Sequence, residues 1–487
     1  MLCIRPFAVL CCALILAAAQ TSGMRQAAAA TSAPANAGKW LVVSDIHLDP
    51  FTTDSQPVYY ELDTNRALLD SAIDEMHRAD PNPPVVLILG DFLAHKFQHI
   101  AAVAIHAHHA ASPGKPGASV PAMSVNEEAL AAMREIAKRF NNDFPKAQFF
   151  IVFGNNDDPC GDYRVGADTA YLRDVARIWE PLIQRSGAPR LNSQQTLFQG
   201  GYYTDSVPAA GTAPKLRIIA LNSVYWSFIY RNSCARQSLD PNAPISRDPG
   251  GTEMNWLATT LAATPADTEN LVIMHIPTGI DAYSTAELRG VAGVPFLRPD
   301  YDARLRQLLS DPASRVVDVI AGHTHRTEFR TLGDVPLLIV PSISPVYRNA
   351  PTFFVLNIAR GTTTFIQNYT AYMYRYGIYD HNDRGNTVVG WQRVYNYQQA
   401  FGATVFDADT LRALNAKLLA GWQPIRTAGF VTDKYARCAE DENADFGSCA
   451  GVTRKDWILV AALVVVVICA FVIVLGWLRL RGPSIES

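Results

Sequence analysis

The chain is short of charge. Of 487 residues only 18% are charged, and 42 basic against 45 acidic residues leave a formal net charge of −3. With no basic field to hold a phosphate polymer, a nucleic-acid partner is not expected. No CxxC pair is present, which argues against a cysteine-rich zinc module. The body has neither GxSxG nor GxxxxGK[ST], so a serine nucleophile elbow and a P-loop are both excluded. What is present is an apolar, structured chain: 49% hydrophobic, 10% aromatic, with 30 Gly and 30 Pro. That composition rules out disorder, a collagen-like repeat and a coiled coil.

Both ends differ from the body. Residues 2–19 read LCIRPFAVLCCALILAAA, one Arg before a short apolar run and then small residues. This is the pattern of a secretory signal peptide, assigned to 1–22, followed by an Ala/Ser/Thr-rich linker over 23–38. The run Trp457–Trp477 carries no charge and has the length of a bilayer core with indoles at both interfaces. A transmembrane helix is expected over 457–477. Arg479 and Arg481 place the tail, 478–487, in the cytoplasm. A removable lipid-anchor signal would end in its apolar tail, whereas this chain ends RLRGPSIES. The expected protein is single-pass, with its body on the extracytoplasmic side.

Of eight Cys, Cys3, Cys11, Cys12 and Cys469 fall in the two apolar runs, leaving Cys160, Cys234, Cys438 and Cys449. Two disulfides suit an oxidising compartment, and three connectivities are open. The short loop favours Cys438–Cys449, hence Cys160–Cys234. Asn368-Tyr369-Thr370 is a glycosylation acceptor if the host glycosylates.

In the body, strand-like runs end in polar residues. Trp40–Ser44 precedes Asp45 and His47; Val85–Leu89 precedes Gly90-Asp91; Gln148–Phe153 precedes Gly154-Asn155-Asn156-Asp157. Leu271–Met274 precedes His275, and Val316–Ala321 precedes Gly322-His323-Thr324-His325. Leu216–Leu221 and Leu337–Val340 have the same β character, and helical patterns fill Asn65–Arg78 and Asn126–Phe140. Alternation of this kind predicts an α/β fold, in which functional residues gather at the carboxyl ends of strands. Asp-x-His or Gly-Asp alone is common. The ordered set DxH, GD, GN, H, GHxH, each after a strand, is not. Carboxylate and amide oxygens mixed with imidazoles suit Zn, with Mn or Fe as alternatives, rather than Ca. Two such ions would clamp a phosphoryl group and activate water.

This ordered set resembles the calcineurin-like metallophosphoesterase superfamily. The resemblance implies a β-sandwich flanked by helices around a dinuclear site. Carried over by motif, Asp45, His47 and His325 would bind the first ion, Asp91 would bridge, and Asn155, His275 and His323 would bind the second. A narrower similarity, over about residues 39–450, is to the acid sphingomyelinase-like phosphodiesterases. Its motifs are Ser44–Pro50, Gly90–His95, Leu221-Asn222-Ser223, Asn255-Trp256-Leu257 and Gly322–Phe329. It implies a catalytic domain over 39–372, a partly helical C-terminal subdomain over 373–450, and His95 as the general acid on the leaving alkoxide.

One position departs from that pattern. Asn156 stands where the group carries His, and an amide hydrogen-bonds phosphate but delivers no proton at a useful pKa. Endopolyphosphatases are similar in having Gly-Asn-Asn-Asp, which keeps phosphoanhydrides open as substrates. Acid sphingomyelinase has a saposin-like module ahead of its catalytic domain; only a short linker precedes Trp40 here. The expected substrate is therefore a nucleotide-linked or phospholipid head-group diester, with sphingomyelin an alternative. A non-catalytic binding protein would need a damaged metal site, and all seven ligand positions are filled. Tyr225, Trp226, Phe228 and Tyr230 would line the substrate groove or pack in the core. His106, His108 and His109 read as loop-side histidines, and the acidic 440–445 as a solvated spacer.

Overall fold

The computed structural model describes residues 38–110, 124–186, 193–207, 213–232, 248–287, 293–381 and 387–419. The expected signal peptide, the linker up to residue 37, the acidic spacer, the span 457–477 and the tail lie outside them, as do Cys234, Cys438 and Cys449. Among the described residues no helix is long and apolar enough to cross a membrane.

Among the described residues fourteen strands follow in chain order. They are β1 (Gly38–Val43), β2 (Val85–Ile88), β3 (Gln148–Ile151), β4 (Tyr203–Ser206), β5 (Lys215–Ala220), β6 (Thr268–Ile273) and β7 (Ile280–Asp281). The rest are β8 (Val294–Pro295), β9 (Val316–Ala321), β10 (Glu328–Leu332), β11 (Val335–Ile339), β12 (Thr352–Arg360), β13 (Thr364–His381) and β14 (Thr387–Asn396). Two six-stranded sheets result, ordered β14-β13-β12-β1-β2-β3 and β10-β11-β9-β6-β5-β4, with β7 and β8 as a separate pair. The centre of each sheet is parallel: β1-β2-β3 in one, β11-β9-β6-β5 in the other. The outer strands pair antiparallel.

Side-chain alternation explains the layering. Leu216, Ile218, Leu271, Ile273, Ile320 and Leu338 point into a core shared with β1, β2 and β12 of the other sheet. Ile219, Val272, Val319, Leu337 and Ile339 point the opposite way, against Leu257, Leu261, Leu305 and Leu309 of helices Pro249–Ala262 and Pro299–Ser310. Burial on both faces is why these strands read as continuous apolar runs. Helices Arg66–Ala79, Val125–Asp143 and Ala170–Ile183 supply further core residues, including Leu69, Phe140 and Trp179. Asn65 caps the first of these by accepting from Leu68 N, and Ser124 with Glu127 forms a capping box on the second. The two-sheet α/β architecture agrees with the expected fold class.

The expected boundary at 372/373 falls inside β13, which carries the first sheet onward, its pairing with β14 shifting register between Ala371 and Tyr372. Beyond β14 come helices Tyr397–Phe401 and Ala408–Leu419, whose Tyr397, Phe401 and Leu411 join the same core. Asn368 sits within β13 opposite Asn357, its Oδ1 accepting from Gln398 N, and Tyr369 beside it is fully buried.

Candidate active site

The parallel strands of both sheets end at one place. The end of β1 is tied to the segment after β11 by Ile343 N to Ser44 O and Ser344 N to Asp45 O, both 3.1 Å. The end of β2 is tied to β1 by Asp45 N to Gly90 O, 3.0 Å. At these ends the chain turns through the left-handed region: Asp45, His47, Asp91, His323 and His325 have φ of 50°, 47°, 52°, 76° and 58°. Each costs roughly 1–2 kcal/mol for a residue with a Cβ, and such strain gathers where function requires a fixed geometry. A Cβ at Gly154 would collide with the Asp91 carboxylate, so only glycine lets these two loops meet.

The strand ends bring together Asp45, His47 and Asp91 from one sheet and His275, His323 and His325 from the other. Asp91 Oδ2 lies 3.3 Å from His47 Nε2 and 3.4 Å from His275 Nε2. Asp45 Oδ1 lies 3.4 Å from His325 Nε2 and 3.9 Å from both His47 and His275. His47 and His325 Nε2 atoms are 3.2 Å apart, and Asn155 Oδ1 is 3.0 Å from His275 Nε2. Asp91, His275 and His323 form one group with metal-ligand spacing, and Asp45, His47 and Asp91 another.

The surroundings aim these groups inward. His47 Nδ1 faces Leu93 O at 3.0 Å and His275 Nδ1 faces Leu89 O at 2.7 Å. Each carbonyl holds the proton on Nδ1 and leaves Nε2 for a cation. Asp45 Oδ2 accepts from Ser44 Oγ and from His323 N at 3.0 Å, while its Oδ1 is buried without a hydrogen-bond partner. A buried, unpaired carboxylate oxygen ringed by imidazole nitrogens fits a divalent cation. Burial pulls His47 down to about 4 and His323 down to about 3, and holds His325 well below its usual value, so all three are neutral. Burial also acts to lower His275, but the Asp91 and Asp45 carboxylates outweigh it and raise the group to about 9. A cation between those carboxylates would displace that proton.

His95 is also here. Its ring stacks on His47 with centroids 4.0 Å apart, its Nδ1 is 2.9 Å from Asp63 Oδ1, and its Nε2 faces Tyr347 Oη at 3.3 Å. Burial lowers its pKa, but the Asp63 contact prevails and raises it above the usual value. Asn156 turns toward Asp91: its backbone N donates to Oδ1 at 2.8 Å and its Nδ2 to Oδ2 at 2.9 Å. Of the aromatic cluster, Tyr225 and Trp226 are fully buried core, whereas Phe228 is 58% exposed. His106 stands exposed on the helix Phe97–Ala110, outside every metal-spaced group among the described residues.

Sequence reasoning missed the residues that position these. Asp63 holds His95 from a loop with no periodic signal. Asp162 Oδ1 accepts from Asn155 Nδ2 at 2.7 Å, which turns Asn155 Oδ1 to the centre, and Tyr163 Oη lies 3.3 Å from His323 Nε2. Asp157 was visible as the last residue of Gly154–Asp157, but its work is on backbone. Its oxygens accept from Asp91 N (2.9 Å), Phe92 N (2.6 Å), Leu93 N (3.3 Å) and Gly154 N (2.7 Å). Burial and the Asp91 charge push its pKa up to about 8, against the pull of those donors. Asp157→Ala would orphan four buried N–H groups and is expected to cost on the order of 3–5 kcal/mol. Denaturant unfolding checks this, and a loss below 1 kcal/mol would mean the turns hold without it.

The calcineurin-like phosphoesterase family model matches residues 38–327, more than half the chain. The chain belongs to the calcineurin-like phosphoesterase family. It is a metal-dependent phosphoric ester hydrolase. Among curated relatives, it is similar to a Dictyostelium discoideum protein named sphingomyelinase phosphodiesterase D. Identity is 25% over 72% of this chain and 67% of the relative. It is also similar to the Homo sapiens acid sphingomyelinase-like phosphodiesterase 3b, at 22% over 78% of this chain and 80% of the relative. Among solved structures, a dimetal phosphatase from Danio rerio aligns at TM-score 0.38 and 13% identity, over 69% of this chain and 95% of that one. The phosphoesterase signature spans the strand ends that build the site, from β1 to His325.

Proposed function

We propose that this phosphoesterase is a dinuclear phosphodiesterase tethered to a membrane by 457–477, with its body outside the cytoplasm. The observation that carries the reading is Asp91 Oδ2, placed almost equally from an imidazole of each sheet. An oxygen so placed would suit a carboxylate shared by two cations. Asp45, His47 and His325 would complete the first cation site, and Asn155, His275 and His323 the second. Zinc is favoured, with manganese or iron as alternatives. When bound, the cations supply Lewis-acid stabilisation of the phosphoryl oxygens and a nucleophilic water.

The chain's own groups do the rest. Asp63 holds His95 beside the centre, with its Nε2 facing the exposed Tyr347 hydroxyl, within ligand spacing of His47 and His325 and so near where a leaving oxygen would depart. His95 protonates that oxygen as general acid. Asn156 has no proton to give, so proton delivery rests on His95, and its Nδ2 holds the bridging carboxylate. The substrate is a phosphodiester, in keeping with the names of the curated relatives, of nucleotide-linked or phospholipid head-group type, with sphingomyelin as an alternative. The Gly154-Asn155-Asn156-Asp157 turn favours a second reading, cleavage of phosphoanhydrides in polyphosphate.

The test is hydrolysis with and without chelator on bis(p-nitrophenyl) phosphate, CDP-choline, long-chain polyphosphate and sphingomyelin. Chelator-sensitive diester cleavage is expected, with activity restored by zinc. Cleavage of polyphosphate alone would select the second reading. No cleavage by protein that retains metal would assign the fold a binding role.

A further inference from the structure

We propose that the mouth of this site is a membrane-seating surface that rests on the head groups of a bilayer and takes its diester from there. The proposal rests on the phosphodiesterase reading and adds the source of the substrate. Large exposed apolar side chains frame the centre on two flanks. On the first, Tyr347 is 52% exposed while its ring packs on His325 and His95, and Leu62, 53% exposed, precedes Asp63. Tyr59 stands on the same loop, which is bound to the Tyr347 segment through Glu61 N to Pro345 O, 3.1 Å. On the second, Phe228 and Ile229 are 58% and 52% exposed. Phe228 N donates to Phe296 O at 3.1 Å, and the Phe296 ring lies 5.6 Å from that of His323. Exposed apolar groups collected around one opening mark an interaction surface.

Charge identifies the occupant. Lys96 follows His95, Arg326 follows His325, and Arg231 N donates to the carbonyl of Tyr163, whose hydroxyl faces His323. All three cations are exposed, and none has a carboxylate partner among the described residues. Aromatic and aliphatic tips mixed with unpaired cations suit the head-group layer, where the first enter the acyl boundary and the second meet lipid phosphates. The chain beyond the last described helix agrees. Residues 420–456 precede the uncharged run 457–477, and extended they would reach on the order of 100 Å. Any face of the body is thus within reach of the bilayer that holds that run. A lipid diester lies at head-group depth, so a mouth seated there meets it without lifting the lipid out.

The experiment uses the full chain reconstituted into vesicles of phosphatidylcholine, with and without phosphatidylserine. First, Phe228→Trp is compared with the wild type in vesicles containing brominated phosphatidylcholine. Extra quenching of the added indole is expected, stronger with phosphatidylserine and reduced by high salt. An added indole that is not quenched overturns the proposal, and so does protection from aqueous quencher that scales with protein concentration, which would assign the rim to a second copy of this chain. Second, Phe228→Ser and Ile229→Ser are assayed on a lipid diester in the vesicles and on bis(p-nitrophenyl) phosphate in solution. Each is expected to lose about tenfold on the lipid diester, the worth of partly burying one large apolar side chain, and to keep its rate on the soluble diester. Equal loss on both substrates overturns the proposal. If neither substrate is cleaved the phosphodiesterase reading fails, while the quenching result still decides whether the rim meets lipid.

Discussion

Asp91→Asn is expected to remove both cations and to lower kcat/KM on diesters by about 10³-fold or more, beyond what loss of a single electrostatic contact costs. Asp91 Oδ2 faces His47 on one side and His275 on the other, and its Oδ1 accepts from Asn156 N. The amide substitute is neutral, and one of its two heads can only donate. Its oxygen could still accept from Asn156 N, and the Asn156 side-chain amide could turn over to offer its Oδ1 to the new NH2, so the turn is expected to fold. What it cannot do is offer negative charge to two cation sites at once. Metal analysis of the purified variant, read beside its unfolding midpoint, tests this directly. Near-zero bound metal at an unchanged midpoint is the expected result. One retained equivalent would show that the bridge serves a single site, and full metal with full activity would refute the bridging role.

The contrast with Asp157 sharpens that expectation. Asp157 is as buried as Asp91 and two strand-end turns depend on it, yet its oxygens are spent on four backbone N–H groups. Its removal should therefore appear first as lost stability, and only through that as lost metal. Two neighbouring carboxylates, one spent wholly on backbone and one facing imidazoles of both sheets, would divide structural from chemical work in a site this small.

That division also explains what the sequence made legible. Strands buried on both faces are apolar throughout, so the polar residue that ends each run stands out; β1, β2, β3, β6 and β9 and their terminal Asp, His and Asn were readable for this reason. The helices Arg66–Ala79 and Val125–Asp143 were readable from their 3.6-residue pattern and caps. The antiparallel strands β13 and β14 were not, because they mix Tyr with polar residues and are partly exposed, and because the 18 residues of β13 exceed an ordinary strand; β12 is a buried apolar run like the others but ends in Arg360 rather than in Asp, His or Asn. Asp63 and Tyr347 were invisible for a different reason. They lie on loops at separations of 32 and 252 residues from His95, and no local pattern records a contact made only by folding. Asn156 shows a further limit. Its identity was readable as a missing proton donor, but its hydrogen bond to the Asp91 carboxylate needed coordinates.

His95→Gln is expected to lower kcat about 10²–10³-fold on alkyl diesters, the usual worth of a general acid, with metal content unchanged. The loss should shrink below about tenfold on bis(p-nitrophenyl) phosphate, whose leaving group needs no proton. That split separates proton delivery from ligation, which matters because His95 also lies within metal-ligand spacing of His47 and His325. Equal losses on both substrates with missing metal would make His95 a ligand. Asp63 supplies the second half of the argument. Burial alone would lower His95; its contact with Asp63 raises the pKa above the ordinary value, so the proton is retained to a higher pH. Activity on alkyl diesters should therefore hold at acidic and neutral pH and fall as pH rises through that raised pKa. Asp63→Asn removes the carboxylate charge but leaves an oxygen for the backbone N–H of His95 and an amide N–H for its ring Nδ1, which keeps the ring in place and disfavours its protonated form. In this variant the alkaline limb of kcat/KM should move to lower pH, while the rate on bis(p-nitrophenyl) phosphate changes little. A limb that stays where it is would mean that the proton lost on that side is not the one on His95.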